Sequence, residues 1–331
     1  MHKFGNYWLG YFIFLVFFTV VADLVVLIIK LITRKKRPAF LKKTLSYILV
    51  GMLVIIASAG MVVYGTVHAR KTVVHSYEVS VDKDGNGMDE LNIVLISDLH
   101  LGYSIGCDMM EQMVDKINAL NPDIIVIAGD IVDNDYDALE DPDRLADILC
   151  GLKSKYGTYG VYGNHDVDGT LIGGFSVTPA KEQFRDERVV EFLKDCNITM
   201  LEDESVLIDD SFYLVGRKDG ERAGDGTKKR ASIEELTGDL DKDKLCIMLS
   251  HEPDELEENA ANGMDLQLSG HTHAGQFFPL TITSPLAWEN DWGYLEVDGM
   301  HDFVSCGVGV YGPFLRIGTD SEIMQIKVRL N

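Results

Sequence analysis

Two long apolar stretches near the start of the chain differ from everything that follows them. Residues 7–29 contain one charged side chain, Asp23, and residues 47–67 contain none. A helix rises about 1.5 Å per residue, so each stretch is long enough to cross the apolar core of a bilayer, which is about 30 Å thick. We therefore predict two transmembrane helices, with residues 1–71 as a membrane anchor and residues 72–331 as a separate domain. Two buried helices of a soluble protein would show the same pattern, and that alternative stays open.

The linker between these stretches, residues 33–43, carries six positive charges. Because basic loops tend to stay in the cytoplasm, we expect both chain ends, and the domain that follows the anchor, on the opposite side of the membrane. Asp23 lies near the cytoplasmic end of the first stretch. A charged side chain within a membrane span often has a function, but Asp23 could also pair with a basic residue of the linker.

Beyond residue 71 the pattern changes to short apolar runs separated by amphipathic segments. A polar hinge is expected over residues 72–77. Strands are predicted over residues 91–97, 123–128 and 157–162, and helices over residues 109–120, 142–149 and 182–194. Strands that are apolar on both faces and alternate with helices are typical of βαβ units with parallel pairing.

The second half of the chain contains shorter strands. They are predicted over residues 198–201, 205–208, 212–216, 245–250 and 266–269, with a helix over residues 255–262, and three antiparallel strands over residues 293–297, 302–306 and 322–330. Together the elements predict an α/β fold in which two mixed β-sheets pack face to face as a sandwich flanked by helices, in a single domain.

Charge narrows the possible functions of residues 72–331, which hold 20 basic and 51 acidic residues. So acidic a surface repels polyanions, which disfavours nucleic acid as a partner. It suits divalent cations, although solubility alone would also account for it. The five cysteines are odd in number and form no C-x-x-C motif, so we expect buried thiols rather than a disulfide framework.

Side chains that can bind metal follow five of the predicted strands. They are Asp98 and His100 in S-D-L-H-L-G, Asp130 in A-G-D-I-V-D, Asn164 and His165 in Y-G-N-H-D, His251 in L-S-H-E-P, and His271 and His273 in S-G-H-T-H-A-G-Q. Each motif alone could be a turn or a helix cap. Ligand sites form where the carboxyl ends of strands meet, however, and five such clusters of carboxylate, amide and imidazole groups favour a site for two metal ions, Mn²⁺, Fe or Zn²⁺.

The order of these motifs resembles the calcineurin-like metallophosphoesterase superfamily. The resemblance runs from about Leu91 to the end of the chain, and all five motifs are present in order. The extended motifs, together with the tail containing Gly307, Pro313 and Arg316, look most like a bacterial branch of membrane-attached or secreted phosphodiesterases. The resemblance implies a four-layer sandwich and hydrolysis of a phosphate ester by attack of a hydroxide that bridges two metal ions.

The resemblance also implies a role for each motif residue. One metal would be held by Asp98, His100, Asp130 and His273, and the second by Asp130, Asn164, His251 and His271, so that Asp130 bridges the two. His165 would stabilise the transition state or protonate the leaving group, since an imidazole can give up a proton near neutral pH. Asp133 and Asp166 would fix histidine tautomers, although helix capping is an equally good interpretation of both.

A membrane-surface hydrolase of a phosphodiester or pyrophosphate, with a lipid- or glycan-linked phosphate as substrate, is the function these observations favour. A phosphomonoesterase or protein phosphatase could use the same metal site. A binding protein that has lost catalysis is the third alternative, and the complete set of motif residues speaks against it. The roles of two further segments stay open. The basic loop over residues 217–230 could contact a phosphate or be solvated. Residues 169–179 could hold a lipid tail or pack on the domain.

Overall fold

Two long helices form the start of the protein. The computed structural model describes residues 2–33, 44–83, 85–169, 171–172, 175–176, 184–220, 222–227 and 229–331. Helix α1 spans His2–Ile32 and α2 spans Thr44–Ala69. In the most apolar 18-residue part of each helix, only 6% of the residues of α1 and 17% of the residues of α2 are buried. This exposure fits lipid-facing helices better than the core helices of a soluble protein. The basic linker over residues 34–43, most of residues 170–183 and two positions of the basic loop lie outside the described residues.

Fourteen strands and six further helices follow within the described residues. The strands are β1 Thr72–Val81, β2 Glu90–Ile96, β3 Ile124–Ala128, β4 Thr158–Val161, β5 Leu171–Ile172, β6 Phe175–Ser176, β7 Ile198–Met200, β8 Glu204–Ile208, β9 Phe212–Gly216, β10 Leu245–Leu249, β11 Leu266–Ser269, β12 Gly293–Val297, β13 Met300–Val304 and β14 Ser321–Leu330. The helices are α3 Cys107–Ala119, α4 Pro142–Leu149, α5 Glu187–Asp195, α6 Ile233–Thr237, α7 Leu256–Ala261 and α8 Leu280–Thr283. The predicted inner strands and helices are all present, with ends that differ by a few residues.

The strands form two six-stranded sheets and one short hairpin. The first sheet has the order β1-β14-β2-β3-β4-β7, and the second has the order β12-β13-β11-β10-β9-β8. Both sheets are mixed, since β14 runs antiparallel to β2 but parallel to β1, and β12 and β8 run antiparallel to their neighbours β13 and β9. The predicted α/β fold of two mixed sheets with flanking helices is therefore confirmed.

Apolar side chains fill the space between the sheets and cover their outer faces. Leu91, Ile93 and Leu95 of β2 point inward and pack with residues such as Phe212 and Leu268 of the second sheet. The alternate residues of β2 and β3 point outward and pack under α3, α4 and α5. Because these strands are covered on both faces, their sequences are continuous apolar runs, as expected for buried parallel strands.

Two predictions about the edges of the sandwich were wrong. Residues 72–77 are not a hinge but the first part of β1, which pairs with β14 along its whole length. The burial of β1 alternates because one of its faces is more covered than the other, so its sequence looked like a polar connection. The last strands are also not simply antiparallel, since β13 pairs in parallel with β11 and β14 pairs in parallel with β1.

The cysteines are all unpaired. Cys107, Cys196, Cys246 and Cys306 are buried, and Cys150 is exposed. The expectation of buried thiols is confirmed for these four and is wrong for Cys150, which lies at the surface. The four buried thiols contribute to the core as small apolar side chains.

Both long helices pack directly on the sandwich through residues 310–317. Phe14 of α1 is buried against Phe277, Leu315 and Ile317. The backbone N–H of Arg316 donates to the carbonyl oxygen of Gly65 in α2 at 3.0 Å. The hydroxyl group of Thr66 donates to the carbonyl oxygen of Phe314 at 3.1 Å. The helices are thus continuous with the packing of the sandwich.

Candidate metal centre

The seven predicted ligands converge at one edge of the sandwich, where strands of both sheets end. Asp98 and His100 follow β2, Asp130 follows β3 and Asn164 follows β4, while His251 follows β10 and His271 and His273 follow β11. All seven are buried except His271, which is partly exposed. Motifs that are far apart in the sequence therefore form a single cluster.

The backbone is unusual at five of these positions. Asp98, His100, Asp130, His271 and His273 have φ angles between 47° and 70°, in the left-handed region that side-chain-bearing residues rarely adopt. Such conformations cost about 1–3 kcal/mol each and persist where the surrounding structure enforces them, typically at functional sites.

Glycines let the carboxylates approach neighbouring loops. A Cβ atom on Gly163 would lie 2.3 Å from Oδ1 of Asp130, and one on Gly270 would lie 2.5 Å from Oδ2 of Asp98. Any side chain at these two positions would displace a predicted ligand. The glycines of the G-N-H-D and G-H-T-H motifs are therefore required by the geometry of the site.

The first predicted ligand group surrounds His273. Its Nε2 atom lies 3.2 Å from Oδ1 of Asp98 and 3.1 Å from Nε2 of His100. Nε2 of His100 lies 3.7 Å from Oδ2 of Asp130. Burial lowers the pKa of His273 to about 4, so its imidazole is neutral and able to act as a ligand at neutral pH.

The second predicted ligand group surrounds His251. Its Nε2 atom lies 2.9 Å from Oδ1 of Asn164, 3.2 Å from Nδ1 of His271 and 3.3 Å from Oδ2 of Asp130. Oδ2 of Asp130 therefore lies between the two groups. Burial, helped by the neighbouring His251, lowers the pKa of His271 to about 3 and keeps it neutral.

The donor atoms of the second group fit a cation. Nδ1 of His251 lies 2.8 Å from the carbonyl oxygen of Ala128, an arrangement that assigns the ring proton to Nδ1 and leaves Nε2 with a lone pair. That lone pair faces the oxygens of Asn164 and Asp130. Burial disfavours a charged imidazole, but the negative charges of Asp130 and Asp98 raise the pKa of His251 well above its ordinary value. The cluster thus requires positive charge here, which a proton or a metal ion can supply.

The first predicted ligand group, around His273, also requires positive charge. Oδ1 of Asp98 is fully buried, and although Nε2 of His273 lies 3.2 Å away, no donor among the described residues meets it with hydrogen-bond geometry. A buried carboxylate oxygen without a donor is costly unless a cation lies beside it. Carboxylate, imidazole and amide oxygen donors without a thiolate suit Mn²⁺, Fe or Zn²⁺. The residues of both groups therefore fit divalent metal ions.

His165 lies beside the cluster, next to Asp133. Its Nδ1 atom lies 2.9 Å from Oδ1 of Asp133, and Nδ1 of His100 lies 3.4 Å from the same oxygen. The backbone N–H of His165 donates to Oδ1 of Asp130 at 2.7 Å. His165 is thus held close to both groups while its Nε2 atom is left for another partner.

Asp166 contributes in a different way from Asp133. Its carboxylate accepts hydrogen bonds from the backbone N–H groups of Ile131, Val132 and Gly163, each at 2.8 Å. Burial and the neighbouring Asp130 raise the pKa of Asp166 to about 6. Asp166 joins the loops after β3 and β4, so it positions Asp130 and Asn164 through the backbone rather than by fixing a histidine tautomer.

Two aromatic residues that were not predicted line the cavity of about 220 Å³ above the cluster. The ring of Tyr311 lies 4.9 Å from that of His273, and the ring of Trp288 lies 5.2 Å from that of His271. Neither lies in one of the five motifs. An aromatic residue within the glycine-rich tail was a possible signal for Tyr311, but no sequence feature distinguished Trp288.

The basic loop is largely paired with acidic residues. Arg217 pairs with Glu255, and Arg230 pairs with Glu255 and Asp254. Arg222 is different, since its Nη1 atom lies 3.4 Å from the carbonyl oxygen of Asn164. One guanidinium of the loop therefore reaches the backbone of a predicted ligand.

The family model and three relatives that match this chain are all described as phosphoesterases. Residues 91–275 match the family model described as calcineurin-like phosphoesterase. A Danio rerio protein named "Transmembrane protein with metallophosphoesterase domain" is 31% identical over 293 residues, covering 84% of this chain and 62% of that protein. A Bos taurus protein of the same name is 32% identical over 310 residues, covering 86% of this chain and 64% of that protein.

A bacterial relative is similar to a comparable extent. A Helicobacter pylori protein named "Uncharacterized metallophosphoesterase" is 30% identical over 245 residues, covering 72% of this chain and 60% of that protein. The chain therefore spans between 60% and 64% of the length of these three relatives.

Proposed function

The chain belongs to the calcineurin-like phosphoesterase family, and from this premise we propose that it hydrolyses a phosphodiester or pyrophosphate at a membrane surface with two divalent metal ions. Asp98, His100, Asp130 and His273 would hold one ion, and Asp130, Asn164, His251 and His271 would hold the other. The observation that carries the proposal is the position of Asp130. Its Oδ2 atom lies 3.7 Å from Nε2 of His100 and 3.3 Å from Nε2 of His251, between two sets of buried donors.

Two bound divalent ions would supply Lewis acidity and lower the pKa of a coordinated water molecule. The side chains of the protein would donate the proton to the leaving group and position the predicted ligands. Asp133 accepts from Nδ1 of His165, which leaves Nε2 to contact the phosphate and to donate a proton to the leaving oxygen. Asp166 holds the two loops that carry Asp130 and Asn164 at a fixed distance. Tyr311 and Trp288 line the cavity.

The charge of the cavity favours a diester over a monoester. None of the nine described residues that line it is lysine or arginine. A terminal phosphate monoester carries close to two negative charges at neutral pH and is best bound by a basic pocket, whereas a diester carries one. In the proposal Arg222, whose Nη1 atom lies 3.4 Å from the carbonyl oxygen of Asn164, would contact one phosphate oxygen.

The membrane anchor supports a substrate at the lipid surface. Relatives are named transmembrane proteins, and α1 and α2 are both long and apolar enough to span a bilayer. In our proposal residues 1–71 are the anchor and residues 72–331 the catalytic domain, with the basic linker in the cytoplasm and the catalytic domain outside it. The substrate would be a lipid- or glycan-linked phosphate. A reporter that works only outside the cytoplasm, fused after Asn331, should be active; an inactive reporter that is nevertheless produced would contradict this topology.

One experiment tests the reaction. The full chain, purified in detergent and stripped of metal, is assayed with Mn²⁺, Fe²⁺ or Zn²⁺ restored, on bis-p-nitrophenyl phosphate and p-nitrophenyl phosphate in parallel. Metal-dependent cleavage that favours the diester supports the proposal. A preference for the monoester would instead indicate a phosphomonoesterase or protein phosphatase, and metal binding without turnover of either compound would indicate a binding protein.

A further inference from the structure

A short apolar segment projects from the sandwich close to α1. Residues 280–286, which comprise α8 and the 3-10 turn Ser284–Leu286, are called the interfacial segment below. Three of its side chains are exposed: Leu280 at 38%, Ile282 at 60% and Leu286 at 84%. Single exposed apolar residues are ordinary, but three within seven residues form a patch.

The surroundings of the segment in the sequence are neutral. Residues 274–288 contain no Asp, Glu, Lys, Arg or His, although residues 72–331 hold 51 acidic residues. A strongly acidic surface would be repelled by the anionic lipids of most membranes. Residues 274–288 therefore carry no charge that would oppose contact with such a surface.

Contacts with α1 show how deep the segment would lie in a membrane. The ring of Phe278, two residues before Leu280, meets the ring of Phe17 edge-on at 5.3 Å, and the ring of Phe277 lies 6.3 Å from that of Phe14. Counting back from Ile29, where the apolar stretch ends, an apolar core of about 30 Å takes up about 20 helical residues and reaches Gly10. Phe14 and Phe17 therefore fall inside the bilayer boundary on the side of the sandwich.

Helix α2 places the same apolar cluster at the same depth in the membrane as α1 does. Met61 and Val62 of α2 pack in the same cluster as Phe277 and Ile317. Counting forward from Tyr47, where the apolar stretch begins, about 20 residues of helix reach Thr66. Both helices thus independently put this cluster near the boundary of the apolar core, and the exposed side chains that follow Phe278 continue the lipid-facing surface of α1.

The interfacial segment also adjoins the candidate metal centre. Trp288, two residues beyond Leu286, lies 5.2 Å from the ring of His271. The hydroxyl group of Thr272, between the two histidines of the G-H-T-H motif, donates to the carbonyl oxygen of Asp291 at 2.6 Å. The segment that faces the lipid therefore ends two residues before Trp288, which lines the cavity.

From these contacts we propose that the interfacial segment inserts Leu280, Ile282 and Leu286 into the bilayer leaflet beside α1, and that the cavity consequently opens at the level of the lipid headgroups. The partner of this surface is the lipid bilayer. The inference deepens the proposed function, because a headgroup phosphate could reach the metal-binding side chains while its acyl chains stay in the membrane. Its test measures insertion alone and does not depend on catalysis.

Site-specific fluorescence quenching tests the insertion. In the full chain with Cys150→Ser, the one exposed thiol is removed, and the variant Leu286→Cys is labelled with an environment-sensitive fluorophore. The protein is reconstituted in phosphatidylcholine vesicles that contain a lipid with a nitroxide near its headgroup. Val16→Cys, on the exposed face of α1, is the positive control.

Leu207→Cys is the matched negative control. Leu207 is exposed to 43% and lies on β8, the edge strand of the second sheet farthest from β12. It pairs with Tyr213 near the start of β9, away from the edge that carries the metal-binding residues. It is therefore an apolar, exposed leucine on a surface that should face water.

Labels at positions 286 and 16 should lose most of their fluorescence to the nitroxide lipid, and the label at position 207 should keep it. Quenching at position 16 without quenching at position 286 would overturn the inserted segment. Equal quenching at positions 286 and 207 would show unspecific contact and overturn it as well. A protein that inserts as expected but hydrolyses no phosphate ester would leave this inference standing and contradict only the proposed function.

Discussion

Oδ1 of Asp133 lies 2.9 Å from Nδ1 of His165 and 3.4 Å from Nδ1 of His100, so one carboxylate hydrogen-bonds the candidate proton donor and faces the ring of a predicted ligand. Asp133→Asn removes the charge and leaves the size unchanged. Because partners of this kind usually contribute about 10–100-fold to metal affinity or activity, we expect kcat to fall by that factor. Steady-state kinetics with metal in excess measures the loss. The same change at Asp137, an exposed residue that pairs with Arg188, should leave kcat unchanged; an equal loss in both variants would contradict the role of Asp133.

Asp130 should be needed for metal binding itself. Asp130→Asn replaces the two carboxylate oxygens by one amide oxygen and one NH2 group, and removes a buried negative charge next to His251. We expect metal content and activity to fall together, because the bridging charge offsets the repulsion between two cations. Elemental analysis of the purified variant, alongside the diester assay, measures both quantities. A variant with full activity would contradict the two-metal assignment.

His165 should separate catalysis from metal binding. His165→Ala removes the imidazole beside the cavity but none of the seven predicted ligands, so we expect both metals to be retained. Loss of a proton donor typically lowers turnover by about 10²–10⁴-fold. Metal analysis and kcat for the diester are the measurements. Loss of metal in this variant would show instead that His165 is a ligand.

A buried carboxyl group away from the site should make stability depend on pH. Asp302 of β13 is fully buried and accepts from Nδ2 of Asn290 at 2.8 Å, while its Oδ1 atom has no hydrogen-bond partner among the described residues. Burial raises the pKa of Asp302 from 3.8 to about 7. The folded state therefore keeps a proton that the unfolded chain releases, so this contribution to stability is full below pH 3.8 and is lost as the pH rises to about 7.

Asp302→Asn should accordingly raise the Tm more at pH 8 than at pH 5, since the amide is neutral at both. Thermal unfolding of the purified full chain at the two pH values measures the difference. Asp298→Asn, at an exposed position in the turn between β12 and β13, is the control and should have little effect at either pH. A gain that does not depend on pH would mean that Asp302 is already charged in the folded state.

Local sequence patterns were sufficient for the inner strands and for the positions of the predicted ligands at the strand ends. The strand before Asp98 is a continuous apolar run because it is covered on both faces, and this makes the strand, and hence the loop that follows it, easy to find. Once the strands are placed, the convergence of Asp130, His251 and His273 follows from the rule that strand ends meet at one edge.

Long-range contacts could not be predicted in the same way. The pairing of β1 with β14 joins residues about 250 positions apart, and nothing in the alternating sequence of β1 specifies its partner. The places of Tyr311 and Trp288 depend on how residues 274–317 fold over the cluster and against α1. Such contacts are set by tertiary packing, for which hydrophobic periodicity carries no information.

The junction between the anchor and the sandwich offers the last test, because α2 approaches the segment around Leu315 through a glycine. A Cβ atom on Gly65 would lie 2.9 Å from Cβ of Leu315, whereas one on Gly51, in the same helix, would meet nothing within 4 Å. Gly65→Val should therefore push α2 away from Leu315 and from Arg316, whose backbone N–H donates to Gly65. Overpacking of this kind typically costs about 1–3 kcal/mol.

We expect Gly65→Val to lower both the Tm and the turnover of the diester, because residues 310–317 also carry Tyr311 into the cavity. Gly51→Val should leave both unchanged, since its side chain would face open space. If the two variants behave alike, the helices act only as a tether and the packing of α2 on the sandwich does not support the site. If Gly65→Val alone loses activity while its metal content is retained, the membrane helices help to shape the catalytic cavity, as the contacts of Phe14, Gly65 and Thr66 indicate.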